Sequence, residues 1–221
     1  MRYFNLARQP KLSTLKLPFA LLILSYLTAC SQLLPVAPAT SPEVASSRPV
    51  EPAPATGLLP LSAVQQQQFD LAKQQLKQGE FVAAIPQLQQ LATALPSLPG
   101  IGYNLAIAQW RSGDIDAAQQ TLRQVVSVAA QYSDAHNLLG VLARQQGHFR
   151  LAEQHFQQAL VPDNRYAVAH KNLAFLYELY LGQLVKAKDH YQQYYALTND
   201  QQAVGWIALL EQQLAQEQAR D

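Results

Sequence analysis

Residues 105–122 read Leu105-Ala106-Ile107-Ala108-Gln109-Trp110-Arg111-Ser112-Gly113-Asp114-Ile115-Asp116-Ala117-Ala118-Gln119-Gln120-Thr121-Leu122, and this stretch recurs along the chain. Its glycine has counterparts at Gly79 and Gly147, each 34 residues away. The small-residue pair returns in phase as Leu71-Ala72, Leu105-Ala106, Leu139-Gly140 and Leu173-Ala174. Downstream of each glycine an alanine holds one offset (Ala84, Ala118, Ala152), and four residues later stands a larger apolar side chain (Leu88, Leu122, Phe156). A fixed period of this length marks a stacked-repeat architecture, in which each unit buries its apolar face only against its neighbours.

The period and the placing of small and large residues resemble the tetratricopeptide repeat. That resemblance spans residues 65–201 and implies an all-α solenoid of about four helix-turn-helix repeats, at 65–98, 99–132, 133–166 and 167–201. In the family the small residues let helix A approach helix B, and the glycine makes the turn between them. The fourth unit carries one inserted residue, because Gly182 and Ala187 lie 35 beyond Gly147 and Ala152. The family's proline near the end of the unit is present at Pro96, is replaced by Ala130, and is shifted to Pro162. Its aromatic near the start of helix A is absent, and His136 and His170 hold that place in repeats three and four. Pro86 falls inside helix B of the first unit, where a kink is expected. From 202 to 218, Ala203, Trp206, Ile207, Leu210 and Leu214 form one apolar stripe, as expected of a helix that caps the last repeat. The repeats and this helix together make a domain at 61–218.

The N-terminus reads differently. Arg2, Arg8, Lys11 and Lys16 precede an apolar run of eleven residues, Leu17–Leu27. A bilayer-spanning helix needs about twenty, so residues 1–29 read as a secretory signal peptide. Leu27-Thr28-Ala29-Cys30 resembles the bacterial lipobox. The resemblance implies a bacterial lipoprotein whose Cys30 carries a covalent diacylglycerol and an N-acyl chain. Ser31 implies, by the family's sorting rule, an outer-membrane lipoprotein on the periplasmic face. Residues 30–60 hold seven of the thirteen prolines and read as a disordered tether of about 90 Å when fully extended. Without residues 1–29 the chain has 16 − 4 = 12 basic and 15 acidic residues, a mildly acidic balance that argues against nucleic acid.

No G-x-S-x-G, Walker-type loop, H-E-x-x-H or C-x-x-C is present, so no enzyme activity, cofactor or metal is expected. His155 and His190 occupy equivalent positions in neighbouring units, as His136 and His170 do. Equivalent positions of stacked helices lie about 10 Å apart, too far to share an ion at about 2 Å bonds.

Binding is what the architecture offers. The tetratricopeptide resemblance implies a concave groove built from Phe69, Asp70 and Lys73, then Tyr103, Asn104, Ile107 and Arg111. It continues with Asn137, Val141 and Arg144, and ends with Lys171, Asn172 and Phe175. Asparagines there would hold a peptide's amides, Lys73, Arg144 and Lys171 would meet carboxylates, and Tyr103 and Phe175 would give apolar contact. Among the tyrosines of the fourth unit, 177, 191 and 194 fall on core positions, while Tyr180 and Tyr195 are less constrained. The expected function is a non-enzymatic scaffold holding a protein or peptide partner in the cell envelope. Pilotins for type IV pilus secretins share the lipobox and repeats. The segment Asn172–Gly182 is similar to tetratricopeptide proteins of TonB-type energy-transduction systems. Cell-wall enzyme regulation, an envelope-polymer enzyme accessory and a structural spacer are the other readings.

Overall fold

The recurring glycines end helices in the left-handed conformation, with φ of 80° at Gly79, 97° at Gly113, 79° at Gly147 and 61° at Gly182. Only a residue without Cβ adopts that conformation at no steric cost. In the first three turns the following N–H reaches back five residues, Glu80 to the Gln75 carbonyl, Asp114 to Gln109 and His148 to Ala143, at 2.9, 2.9 and 2.8 Å. These are the closing bonds of a Schellman motif. In the fourth turn Gln183 N–H reaches Tyr177 carbonyl, six residues back, so the inserted residue is absorbed as a wider turn.

The computed structural model describes residues 61–220, and among them are α-helices and no strand. They run α1 Ala63–Gln78, α2 Phe81–Ala94, α3 Pro99–Arg111, α4 Ile115–Val128, α5 Ser133–Gln145, α6 Phe149–Leu160, α7 Ala167–Leu179, α8 Leu184–Thr198 and α9 Gln201–Gln218. Four antiparallel hairpins, α1/α2 to α7/α8, stack in chain order, and α9 packs on α8. Signal peptide, Cys30 and tether lie outside the described residues.

Local chemistry sets the helix starts. Ser62 accepts a hydrogen bond from Gln65 N–H while the Gln65 side chain accepts one from Ser62 N–H, a capping box for α1. Asp114 caps α4 through Ala117 N–H, and Asp200 caps α9 through Gln202 N–H. Pro86 does not end α2, which continues to Ala94. Its ring has no N–H to give the Val82 carbonyl, and Val82 is exposed.

The alternation of small and large residues becomes the hairpin interface. Ala72, Ala106 and Ala174 are fully buried on the A helices, as are Ala84, Ala118, Ala152 and Ala187 on the B helices. Leu88, Leu122, Phe156 and Tyr191 fill the space between them. At Gly140 the approach is closest, because a Cβ there would sit 2.5 Å from the Phe156 ring. The core divides into two clusters that share α3. One face of α3, with Ile101, Leu105 and Ala108, closes over the first hairpin, while Tyr103, Ala106 and Ile107 join a larger cluster running to Leu210. At the C-terminal end Ala203 and Leu210 are fully buried, with Trp206 and Ile207 packed against the same cluster, so the apolar stripe of α9 covers the last hairpin.

The tyrosines of the fourth hairpin divide as their positions require, except that Tyr194, expected in the core, is only half-buried. Tyr177 and Tyr191 are core, Tyr194 and Tyr195 are half-buried, and Tyr180 is exposed. Buried phenols need acceptors. Tyr177 donates to Glu153 Oε1 at 2.8 Å, Tyr191 to Glu178 Oε2 at 2.6 Å, and Tyr194 to Asp200 Oδ2 at 2.7 Å. Glu178 is thereby committed to the core tyrosine.

Candidate partner-binding site

The residues expected in the concave groove separate into two groups. Phe69, Tyr103, Asn104, Ile107, Asn137, Val141, Arg144 and Asn172 are buried in the folded chain, whereas Lys73, Lys171 and Phe175 are half-buried and Arg111 is exposed. The asparagines turn their polar atoms inward. Asn172 Nδ2 donates to Asn137 Oδ1 at 2.8 Å across the α5/α7 contact, and Asn104 Nδ2 donates to the Gly100 carbonyl at 2.7 Å. The Asn137–Asn172 bond ties neighbouring repeats together and engages one polar atom of each amide. Phe69 belongs to the smaller core cluster, and Ile107 and Val141 to the larger.

The cations differ in what they meet. Lys73 Nζ lies 2.9 Å from Asp70 and 5.0 Å from the Phe69 ring centre. Arg111 stacks over Phe81 at 4.9 Å and Trp110 at 5.7 Å. Lys171 sits over Tyr194 at 5.3 Å and Trp206 at 5.6 Å, a cation held by two electron-rich faces. Arg144 has no such arrangement. It is 6% exposed, its Nη1 has no hydrogen-bond partner, and it makes no ion pair among the described residues. Burial pushes its pKa below the ordinary arginine value, against a smaller opposing effect of Tyr180. A guanidinium remains charged under these conditions, so it is a desolvated cation lacking a counter-ion. Tyr180, close to it in the fourth hairpin, stacks on Phe149 at 4.6 Å. Phe149, Leu151 and Leu181 line an apolar recess beside that stack.

Leaving a charged donor buried and unsatisfied costs about 1–3 kcal/mol or more. Arg144→Met, which keeps the volume and removes the charge, is expected to raise the thermal midpoint by about 2–4 °C for each kcal/mol recovered. Thermal unfolding by circular dichroism checks this; a lowered midpoint means that the guanidinium already has its counter-ion.

Two histidine pairs were not legible from the comparison of neighbouring repeats. His136 on α5 faces His155 on α6, with ring centres 5.9 Å apart, and His170 on α7 faces His190 on α8 at 5.1 Å. Each pair is made within one hairpin. The signal was the recurrence of histidine on both helices of the same unit. In the second repeat the equivalent positions are Gly102 and Thr121, and both line an uncharged cleft with Gln89, Gln120 and Gln124.

The tetratricopeptide-repeat family profile matches residues 75–142, across the junction of the first three hairpins. The fold is a tetratricopeptide-repeat solenoid. Solved structures agree with that assignment. A crystal structure of the MamA protein aligns with a TM-score of 0.59 at 20% identity, covering 69% of this chain and 83% of that one. The structure reported for the functional characterization of Pseudomonas aeruginosa PilF aligns at 0.62 and 18% identity, over 69% of each chain. A thermophilic tetratricopeptide protein of Thermus thermophilus aligns at 0.56 and 22% identity, over 68% of this chain and 82% of that one. No curated protein matches the chain in sequence. At these identities the shared property is the fold. Tetratricopeptide solenoids are protein-interaction scaffolds, and no catalytic family is indicated.

Proposed function

We propose that the chain is a non-enzymatic adaptor of the bacterial cell envelope, anchored to the outer membrane through a lipid on Cys30. It captures a partner protein on the tetratricopeptide solenoid. The observation that carries the binding reading is Arg144, a buried cation with no counter-ion among the described residues, flanked by the exposed Tyr180. A partner carboxylate supplies the missing charge, and the exposed Tyr180 gives it contact area beside the guanidinium. The envelope reading rests on the lipobox resemblance at Leu27–Cys30 and on the proline-rich segment that separates it from α1. A second reading, a pilotin-like assembly factor for a type IV pilus secretin, rests on the combination of lipobox and repeats. An accessory of a TonB-type system rests on the Asn172–Gly182 likeness.

In-cell photocrosslinking tests this, with the reactive residue at Arg111 or Lys171, which the fold leaves accessible. One envelope protein is expected to be captured, and Arg144→Met is expected to reduce the yield while the chain stays folded. Cys30→Ser is expected to release the chain from the membrane fraction. A secretin among the captured proteins selects the pilotin-like reading, and TonB-complex subunits select the other. Capture of abundant lipoproteins alone, from a folded and lipidated chain, overturns the adaptor and leaves a spacer between membrane and wall.

A further inference from the structure

The two histidine pairs are built alike and end differently. In each, the helix A ring is fixed by the carbonyl six residues upstream, His136 Nε2 to Ala130 at 2.9 Å and His170 Nε2 to Asn164 at 2.8 Å. A carbonyl only accepts, so Nε2 carries the hydrogen, and in the neutral ring Nδ1 presents its lone pair. In the α7/α8 pair that lone pair is used, because His190 Nδ1–H donates to His170 Nδ1 at 2.9 Å. In the α5/α6 pair it is not. His136 is 8% exposed and its Nδ1 has no hydrogen-bond partner, although it shares the hairpin interface with the half-buried His155.

An imidazole whose one nitrogen is anchored to a backbone carbonyl and whose other is left open is the arrangement that orients a metal-ligating histidine. With metal–nitrogen bonds of about 2.0–2.1 Å, two imidazoles on one ion place their ring centres about 5–6 Å apart. The observed 5.9 Å falls in that range. We propose that His136 and His155 form a two-imidazole site for a late first-row transition-metal ion, of the class that imidazole ligands favour. No third histidine, cysteine or carboxylate joins the pair among the described residues, so solvent at the half-exposed His155 side completes the coordination. The α7/α8 pair, its lone pair already engaged, is the internal control.

The test is titration of the purified, tag-free chain with Zn2+ alone, followed by calorimetry and by imidazole NMR. One ion per chain is expected, with the His136 and His155 resonances shifting and those of His170 and His190 unchanged. His155→Gln, at a half-exposed position, is expected to weaken binding roughly ten-fold or more, while His190→Gln binds as the parent does. Circular dichroism confirms that each variant is folded, and the resonance shifts in the unsubstituted chain give a reading that needs no variant. Absence of binding, undiminished binding by His155→Gln, or loss in His190→Gln overturns the site.

Discussion

Gly140→Ala is expected to destabilise the solenoid by about 1 kcal/mol, although alanine is the better helix former. An added Cβ meets three ring carbons of Phe156 at 2.5, 2.6 and 3.0 Å, and that ring is fully buried. Overpacking of this kind costs about 1–3 kcal/mol, against a propensity gain of about 1 kcal/mol, so a large share of the steric cost must survive. Gly205→Ala in α9 supplies the opposite sign. Nothing lies within 4 Å of a Cβ at Gly205, so only the propensity gain of about 0.5–1 kcal/mol remains. Urea unfolding of the two variants separates the effects. Equal shifts in the same direction mean that the α5/α6 contact is looser than its distances imply. Phe156→Leu in the Gly140→Ala background is expected to recover part of the loss, because it removes the ring edge that the new methyl strikes.

Acidification from pH 7 to pH 4 is expected to remove about 2 kcal/mol of stability through His190 alone. Burial, and then the adjacent His170, push its pKa down to about 4, Asp189 opposing and Lys186 reinforcing the shift. An unfolded histidine titrates near 6.5, so below that value the unfolded chain binds the proton first. The stabilisation is therefore complete above about pH 6.5 and is lost as the pH falls toward 4. The full shift corresponds to about 3.4 kcal/mol, and the ring's partial exposure reduces it to the smaller figure. His155, shifted in the same direction, adds to the slope. The window lies above that of Asp200, whose carboxyl is held below its ordinary value by the Tyr194 hydroxyl and the Gln202 amide. Urea midpoints measured between pH 7 and 4.5 check the slope, and His190→Gln is expected to flatten it. An unchanged slope in that variant assigns the acid sensitivity elsewhere.

What the sequence disclosed was periodic, and what it withheld was pairwise. The 34-residue return of Gly79, Gly113 and Gly147 specifies a turn that needs positive φ, so the hairpins and the widened fourth turn were legible. The α9 stripe was legible for the same reason, since its apolar residues recur on one face. The partner of a given side chain is not a periodic property. Comparing His136 with His170 and His155 with His190 looks along the stack, whereas the contacts run across each hairpin. Asn137 and Asn172 stand on positions that the resemblance assigns to the groove, yet they lie close enough to bond one another. Arg144 was legible as a groove cation. That it alone among Lys73, Arg111, Lys171 and Arg144 lacks an acid or a ring to rest against depends on its three-dimensional surroundings.

The division of the core along α3 gives the molecule a direction under load. The first hairpin rests on a small cluster, whereas everything beyond α3 shares a larger one that α9 fastens at the far end. A pull delivered through residue 61, the side on which the proposed lipid tether attaches, enters at the smaller of the two clusters. The α1/α2 hairpin therefore takes the load before the larger cluster does. The larger cluster, which runs from α3 to Leu210 of α9, stands behind it.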